Sequence, residues 1–233
     1  MKIACFYIAL LLVMITGFSC KKDNYSGPGS TLTGRLVYKG DAINVEYNQV
    51  PFEVYQYGFG KTGPITGTFA QDGSYSLLLF NGDYHFTVPN GQGPFKWKQT
   101  AAGTPDTTAI TMSGNQSLDL EVTPYYMVRS AQITAASGKV SGSCKIEKII
   151  TDASAKDIEA VRLYINKTQF VSGSDNIALT TIAGSSVTDF NNVNISVTIP
   201  ALVPSQNYIF ARIGIKIAGV EDMIFSPLVK LSL

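Results

Sequence analysis

His85 is the only histidine in the chain, so any Ser-His-Asp relay would have to run through it. It alternates with Tyr84, Phe86 and Val88 along an extended run, the pattern of an outward-facing strand residue. Cys5 and Cys20 lie in and at the end of the N-terminal apolar stretch, so Cys144 and His85 are the only soft ligands in the body of the chain, too few for a zinc cage. Asp189, Asn191 and Asn192, and Ser174, Asp175 and Asn176, carry oxygens of the kind calcium takes, but loop residues of these types need no ion. Glycoside hydrolysis needs two carboxylates about 5–10 Å apart. The 17 acids offer many pairs, and sequence spacing singles out none. Glu221-Asp222 lies between two strand-like runs and reads as a hairpin turn. No glycine-rich loop follows a strand and opens a helix, and Gly58 to Gly67 reads as a hairpin connection. The residues call for no metal, no cofactor and no catalytic group.

Charge excludes a further class. Eighteen basic and 17 acidic residues give a formal +1, without the basic excess of a nucleic-acid binder. Only 15% of residues are charged, against roughly 25% in an ordinary soluble domain. Any ligand is expected to be neutral, which suits a glycan.

Aromatic residues carry the stronger signal. Fourteen fall between residues 24 and 98, and six between 127 and 233. Along Phe52 to Phe59, Phe52 and Val54 share one face while Tyr55, Tyr57 and Phe59 share the other. Both faces cannot be core in a two-layer sandwich. Tyr55, Tyr57 and Phe59 are therefore candidates for stacking on sugar rings, and Phe95 and Trp97, between Lys96 and Lys98, join them.

These residues must be positioned by strands. Short runs rich in Val, Ile, Thr, Tyr and Phe alternate with Gly, Pro, Asn, Asp and Ser clusters. Fourteen such runs are readable, too many for one small sandwich. The expectation is an all-β chain of two β-sandwich domains in tandem, residues 32–124 and 125–233, with the seam at Val122 to Tyr126. Only Asp152 to Glu159 could form a short helix. Asn81-Gly82, between Ser74–Leu79 and Tyr84–Pro89, reads as the turn of a hairpin.

The run Gly73, Tyr75, Phe80, Gly82, Tyr84, Phe86, Val88, with Thr33-Gly34-Arg35-Leu36, resembles the transthyretin-like fold of carboxypeptidase regulatory domains. Leu202, Pro204 and Tyr208 resemble the tyrosine corner of fibronectin type III domains, and that resemblance implies a Tyr208 hydroxyl bonded back to the corner backbone. One feature conflicts. The face holding Tyr208 and Phe210 continues to Arg212, while Ile209, Ile213, Ile215 and Ile217 form the more apolar face. A bulge or a covered outer face would reconcile the two.

The N-terminus reads as an address. After Lys2, Ile3 to Ile15 is an apolar run of 13 residues, short of the ~20 that span a bilayer. Thr16-Gly17-Phe18-Ser19-Cys20 resembles the lipobox of bacterial lipoproteins, which implies a signal peptide at 1–19, a lipidated Cys20 and a linker through residue 31. Loss of 1–19 removes one Lys and no acid, leaving 17 charges of each sign. Cys144 then remains as a single thiol in an alternating stretch, expected to be buried. Asp106-Thr107-Thr108 resembles a short Bacteroides O-glycosylation site, with Thr107 as the acceptor.

Leu79 to Tyr84, Gly93-Pro94-Phe95 and Glu121 to Tyr125 resemble a Bacteroidetes outer-membrane lipoprotein family of unknown function from glycan-utilisation loci. The resemblance implies a surface-facing protein with a glycan, an outer-membrane importer and its companion lipoprotein as partners, and a lipid anchor in the membrane. A structural spacer or protein-partner module is the alternative, and a glycoside hydrolase a remote one.

Overall fold

The computed structural model describes residues 26–58 and 63–233. Cys20, Phe59 and the apolar run of residues 3–15 lie outside the described residues. The fold is all-β, with no α-helix among the described residues. The first half comprises β1 (Ser30–Tyr38), β2 (Asp41–Ala42), β3 (Pro51–Gln56), β4 (Ile65–Thr68), β5 (Ser74–Leu79), β6 (Gly82–Thr87), β7 (Phe95–Lys96), β8 (Thr108–Met112), β9 (Gln116–Ser117), β10 (Leu120–Glu121) and β11 (Thr123–Pro124). The second comprises β12 (Tyr126–Ala136), β13 (Lys139–Lys148), β14 (Ile158–Asn166), β15 (Ala178–Ala183), β16 (Val193–Thr198), β17 (Tyr208–Ile217), β18 (Ile224–Phe225) and β19 (Val229–Ser232).

In the first half, β1 pairs antiparallel with β2 and β5 and parallel with β9 and β10. The facing sheet runs β4-β3-β6-β8. Period-two alternation sends Phe52 and Val54 of β3 inward. The Phe52 ring lies 5.7 Å from Tyr75 of the opposite sheet and 4.9 Å from Phe86. Gly34 allows the closest approach. A Cβ there would sit 1.8 Å from the Leu118 carbonyl oxygen. That oxygen also accepts the Tyr75 hydroxyl at 2.7 Å.

Two expectations fail here. Asn81-Gly82 does not close a hairpin, because β5 pairs with β1 while β6 pairs with β3 and β8. The chain changes sheet at this corner. The Asn81 side-chain oxygen accepts the Ser30 hydroxyl at 2.5 Å, tying the corner to the start of β1. Residues 152–159 form no helix. The Asp152 carboxylate accepts Ser154 N–H at 2.8 Å, a side-chain turn that competes with helix. The chain then extends into β14.

In the second half, β12-β13-β16 packs on a sheet of β15-β14-β17, with β18 and β19 both pairing β17. Ile209, Ile213, Ile215 and Ile217 of β17 point into the space between the sheets and are fully buried. The opposite face resolves the Arg212 conflict. The β14–β17 register runs unbroken from Phe210 to Lys216, so no bulge intervenes. The outer face is covered by the first half of the chain, and Arg212 is 0% exposed beneath it. Phe225 N–H donates to Asn44 O at 3.0 Å across the same seam. Most buried apolar residues form one cluster running through both halves, and Tyr164, Val171, Met223 and Phe225 form a second, smaller one.

Substituting Gly34→Ala should displace the Leu118 segment. Overpacking of this kind costs about 1–3 kcal/mol, so thermal unfolding should shift down by roughly 2–12 °C; an unchanged melting temperature would show the segment is free to move.

Candidate functional site

The outward face of β3 presents Glu53 and Tyr55, and Tyr57 follows in the turn just past its end. The Tyr55 hydroxyl donates to Glu53 Oε2 at 2.7 Å, and this bond, with partial burial, raises its pKa above the usual phenol value. Tyr57 is 60% exposed. Its ring meets the His85 ring edge-on, 5.1 Å between centroids. Tyr55 and His85 are cross-strand partners, so three rings share one sheet face. Polar groups edge it: Asp83 Oδ1 accepts the Thr111 hydroxyl at 2.6 Å. Such a face can stack a ring and hydrogen-bond its substituents.

His85 is half-buried, and its Nδ1 lies 3.0 Å from Thr107 Oγ1. The Asp106 carboxylate accepts Thr107 N–H at 2.8 Å rather than orienting the imidazole, so no Ser-His-Asp relay forms here. Thr107, the expected glycosylation acceptor, thus has its hydroxyl held by His85. Among the described residues no group of three His, Cys, Asp or Glu could hold a metal. Asp175 bonds Ser172 and Ser174, and Asp189 accepts Asn191 N–H, so both acids serve their own loops. Burial pushes the Cys144 thiol up to about 11, leaving it protonated and unreactive at neutral pH.

Phe95 and Trp97 do not join this face. They are 4% and 6% exposed, and Trp97 Nε1 donates to Asp106 O at 2.7 Å. The Trp97 ring packs 6.4 Å from Phe86, as part of the core. A flanking pair of lysines signalled a solvent-exposed loop, but β7 pairs with β11 and turns the aromatics inward. Their edges instead line a groove at the seam between the halves, about 210 Å³ in volume, with Asn90, Gln92, Gln99 and Tyr125.

The expected tyrosine corner is also corrected. Tyr208 lies on the outer face of β17, half-buried, with Lys230 Nζ 4.2 Å from its ring centre. No hydrogen bond from its hydroxyl is present among the described residues. The corner holding Leu202 and Pro204 is pinned by Gln206, whose Nε2 donates to Lys167 O at 3.1 Å and Tyr208 O at 2.7 Å.

Sequence reasoning missed the seam itself. Arg212 Nε donates to Val171 O at 2.5 Å, and Nη1 to Val45 O at 3.0 Å and Gln71 O at 3.4 Å. Asp222, read as part of a turn, is 3% exposed and accepts Gly93 N–H at 2.7 Å from the other half. Burial raises its pKa, opposed by that bond. The signal for Arg212 was its place on a face of β17 too aromatic to be solvated. Asp222 carried none.

Two family matches cover nearly all of the described chain. Residues 30–123 match "Protein of unknown function (DUF3823) N-terminal domain", and residues 126–230 match "Domain of unknown function (DUF3823_C)". A DUF3823 protein from Parabacteroides merdae has 30% identity and a TM-score of 0.77, over 89% of this chain and 100% of that one. The chain belongs to the DUF3823 family. A second DUF3823 structure, from Bacteroides ovatus, has 30% identity and a TM-score of 0.76, over 88% of this chain and 99% of its own. A Bacteroides uniformis protein described as a candidate carbohydrate binding protein shares the DUF3823 fold at 16% identity and a TM-score of 0.65, covering 89% of this chain and 100% of that one. No curated protein matches the chain.

The Asp222 shift predicts a pH dependence. An acid whose folded pKa is raised favours folding fully when protonated, below its unfolded pKa, and loses that contribution as pH rises through the folded value. Asp222→Asn keeps an acceptor for Gly93 and removes the charge. The variant's melting temperature relative to wild type should therefore rise between pH 4 and pH 7; a flat or falling difference would contradict a buried, destabilised carboxylate.

Proposed function

We propose that the chain is a non-catalytic, lipid-anchored accessory protein of the outer membrane, facing the cell surface, that holds glycan for a polysaccharide-uptake system. The observation that carries this reading is the Tyr55, Tyr57 and His85 face, an exposed aromatic ledge edged by Glu53, Asp83 and Thr111 on a rigid sheet. Sugar rings have apolar faces that stack on such rings and hydroxyls that pair with such edges. The carbohydrate-binding description of a protein sharing the fold points the same way. The neutral balance of charge after loss of residues 1–19 suits a glycan without strong charge.

The position of the start of β1 bears on the proposed anchor. Ser30 pairs with Leu79 and bonds Asn81, while the other end of β1 leads to Asp41, which pairs with Arg129 of the second half at 2.6 Å. A lipid at Cys20 would hold the first half towards the membrane, with a linker reaching at most about 35 Å. The second half and the seam would project outwards.

A spacer role is the second reading, favoured by the seam bonds that couple the halves. Affinity electrophoresis of the full-length chain in detergent against a polysaccharide panel separates the two. Retention is expected for at least one neutral glycan, and Tyr57→Ala should weaken it roughly tenfold, about 1.4 kcal/mol. No retention, with an outer-membrane protein co-purifying instead, favours the spacer; turnover of a panel glycan overturns the non-catalytic part. For the anchor, metabolic labelling with palmitate should mark wild type and not Cys20→Ser. An unlabelled wild-type protein would remove the lipid from the account.

A further inference from the structure

The seam groove differs from the ledge in chemistry. Its lining residues include no carboxylate but two lysines, Lys96 from the first half, at the edge it shares with a neighbouring groove, and Lys156 from the second. Neither is in an ion pair among the described residues. Lys96 Nζ donates to Ser154 Oγ at 2.9 Å, and Lys156 Nζ to Gly219 O at 3.0 Å. Both therefore rest on neutral oxygens, although a charged donor bonds roughly twice as strongly to an ionised acceptor. Ser154 in turn bonds the Asp152 carboxylate, which feels the Lys96 charge through it and lines an adjoining groove that shares Lys96, Trp97 and Gln99 with this one. Asp222 lies behind the Gly93 backbone, buried and already bonded to it.

The other lining groups suit a sugar. Asn90, Gln92 and Gln99 supply amide donors and acceptors, and Phe95, Trp97 and Tyr125 supply apolar ring edges. At about 210 Å³ the groove is smaller than the ~300–1,000 Å³ pockets that take a drug-sized ligand, so it suits a single ring. Residues from both halves build it, and the bonds across the seam hold their spacing.

We infer that the seam groove binds a carboxylate-bearing sugar, a uronate ring, with Lys96 and Lys156 on the carboxylate and the amides on the hydroxyls. This rests on the glycan reading above but uses different residues from the ledge. It also narrows the expectation of a neutral ligand: the chain as a whole is balanced, while this groove is locally cationic.

The test is calorimetric titration of the full-length chain in detergent with digalacturonate and with its neutral counterpart, digalactose. Digalacturonate should bind at least tenfold more tightly, with affinity falling as salt rises. The double variant Lys96→Met, Lys156→Met should abolish that preference and the salt dependence. Gln92→Ala should weaken binding without changing the salt slope. Equal affinity for the two sugars, or a preference that survives loss of both lysines, overturns the inference. If the neutral polysaccharides are retained through Tyr57 while digalacturonate gains nothing, this site fails and the ledge reading stands. If no glycan of either kind binds, both fail.

Discussion

A single buried guanidinium holds the architecture together. Arg212 is fully enclosed where the two halves meet, and its bonds run to carbonyls of Val45 and Gln71 in one half and Val171 in the other. The guanidinium lies 3.7 Å from the centre of the Phe225 ring, close enough for a cation–π contact. Gly214 makes room for that ring, since a Cβ there would come within 2.7 Å of it. Burial lowers the Arg212 pKa to about 9, and the Glu46 charge opposes the fall, so the group stays cationic at neutral pH. A buried charge is costly unless its donors are satisfied. Carbonyls from both halves together take its Nε and Nη1 donors, which neither half alone could do, while Nη2 is buried without a partner among the described residues.

The remaining seam bonds follow from that closure. Gly173 N–H reaches Glu46 Oε1 at 2.7 Å, Gly93 N–H reaches Asp222, and Gln71 Nε2 reaches Gln169 O at 2.7 Å. Arg129 adds ion pairs to Asp41 at 2.6 Å and Glu147 at 2.7 Å nearer the surface. Surface pairs like these contribute little by themselves, but the one to Asp41 extends the contact along the seam, while Glu147, in the same half, fixes the Arg129 side chain. The groove walls are therefore set by a rigid body, and the ledge on β3 lies on one of its faces.

Much of this fold was legible in the sequence because strands leave a period-two trace. Phe52 and Val54 inward with Tyr55 and Tyr57 outward is the clearest case, and the isoleucine face of β17 is another. What was lost are choices that local pattern does not encode. Asn81-Gly82 suits a tight turn, yet the strands flanking it belong to different sheets, and pairing partners are decided by distant residues. Trp97 looked exposed from its lysine neighbours, whereas its burial depends on β11 joining β7. Tyr208 matched a corner motif by spacing, but Gln206 makes the corner's bonds. Arg212 announced a conflict on its strand without revealing that another domain resolves it. Family membership supports the two-part organisation and leaves activity open, so the site rests on geometry: the exposed Tyr57 ring against a half-buried His85, and lysines outside any ion pair at the groove.

The most direct test of the seam's role is differential scanning calorimetry of the full-length chain and of Arg212→Met. Wild type should unfold in one cooperative transition, because the halves share the bonds of Arg212. The variant leaves the carbonyls of Val45 and Val171 without their donor, at about 1–3 kcal/mol for each one left unsatisfied, while Gln71 O keeps the Val45 N–H at 3.1 Å. It should unfold at lower temperature and in two separate transitions. Two independent transitions in wild type, or a variant that melts as wild type does, would contradict the account.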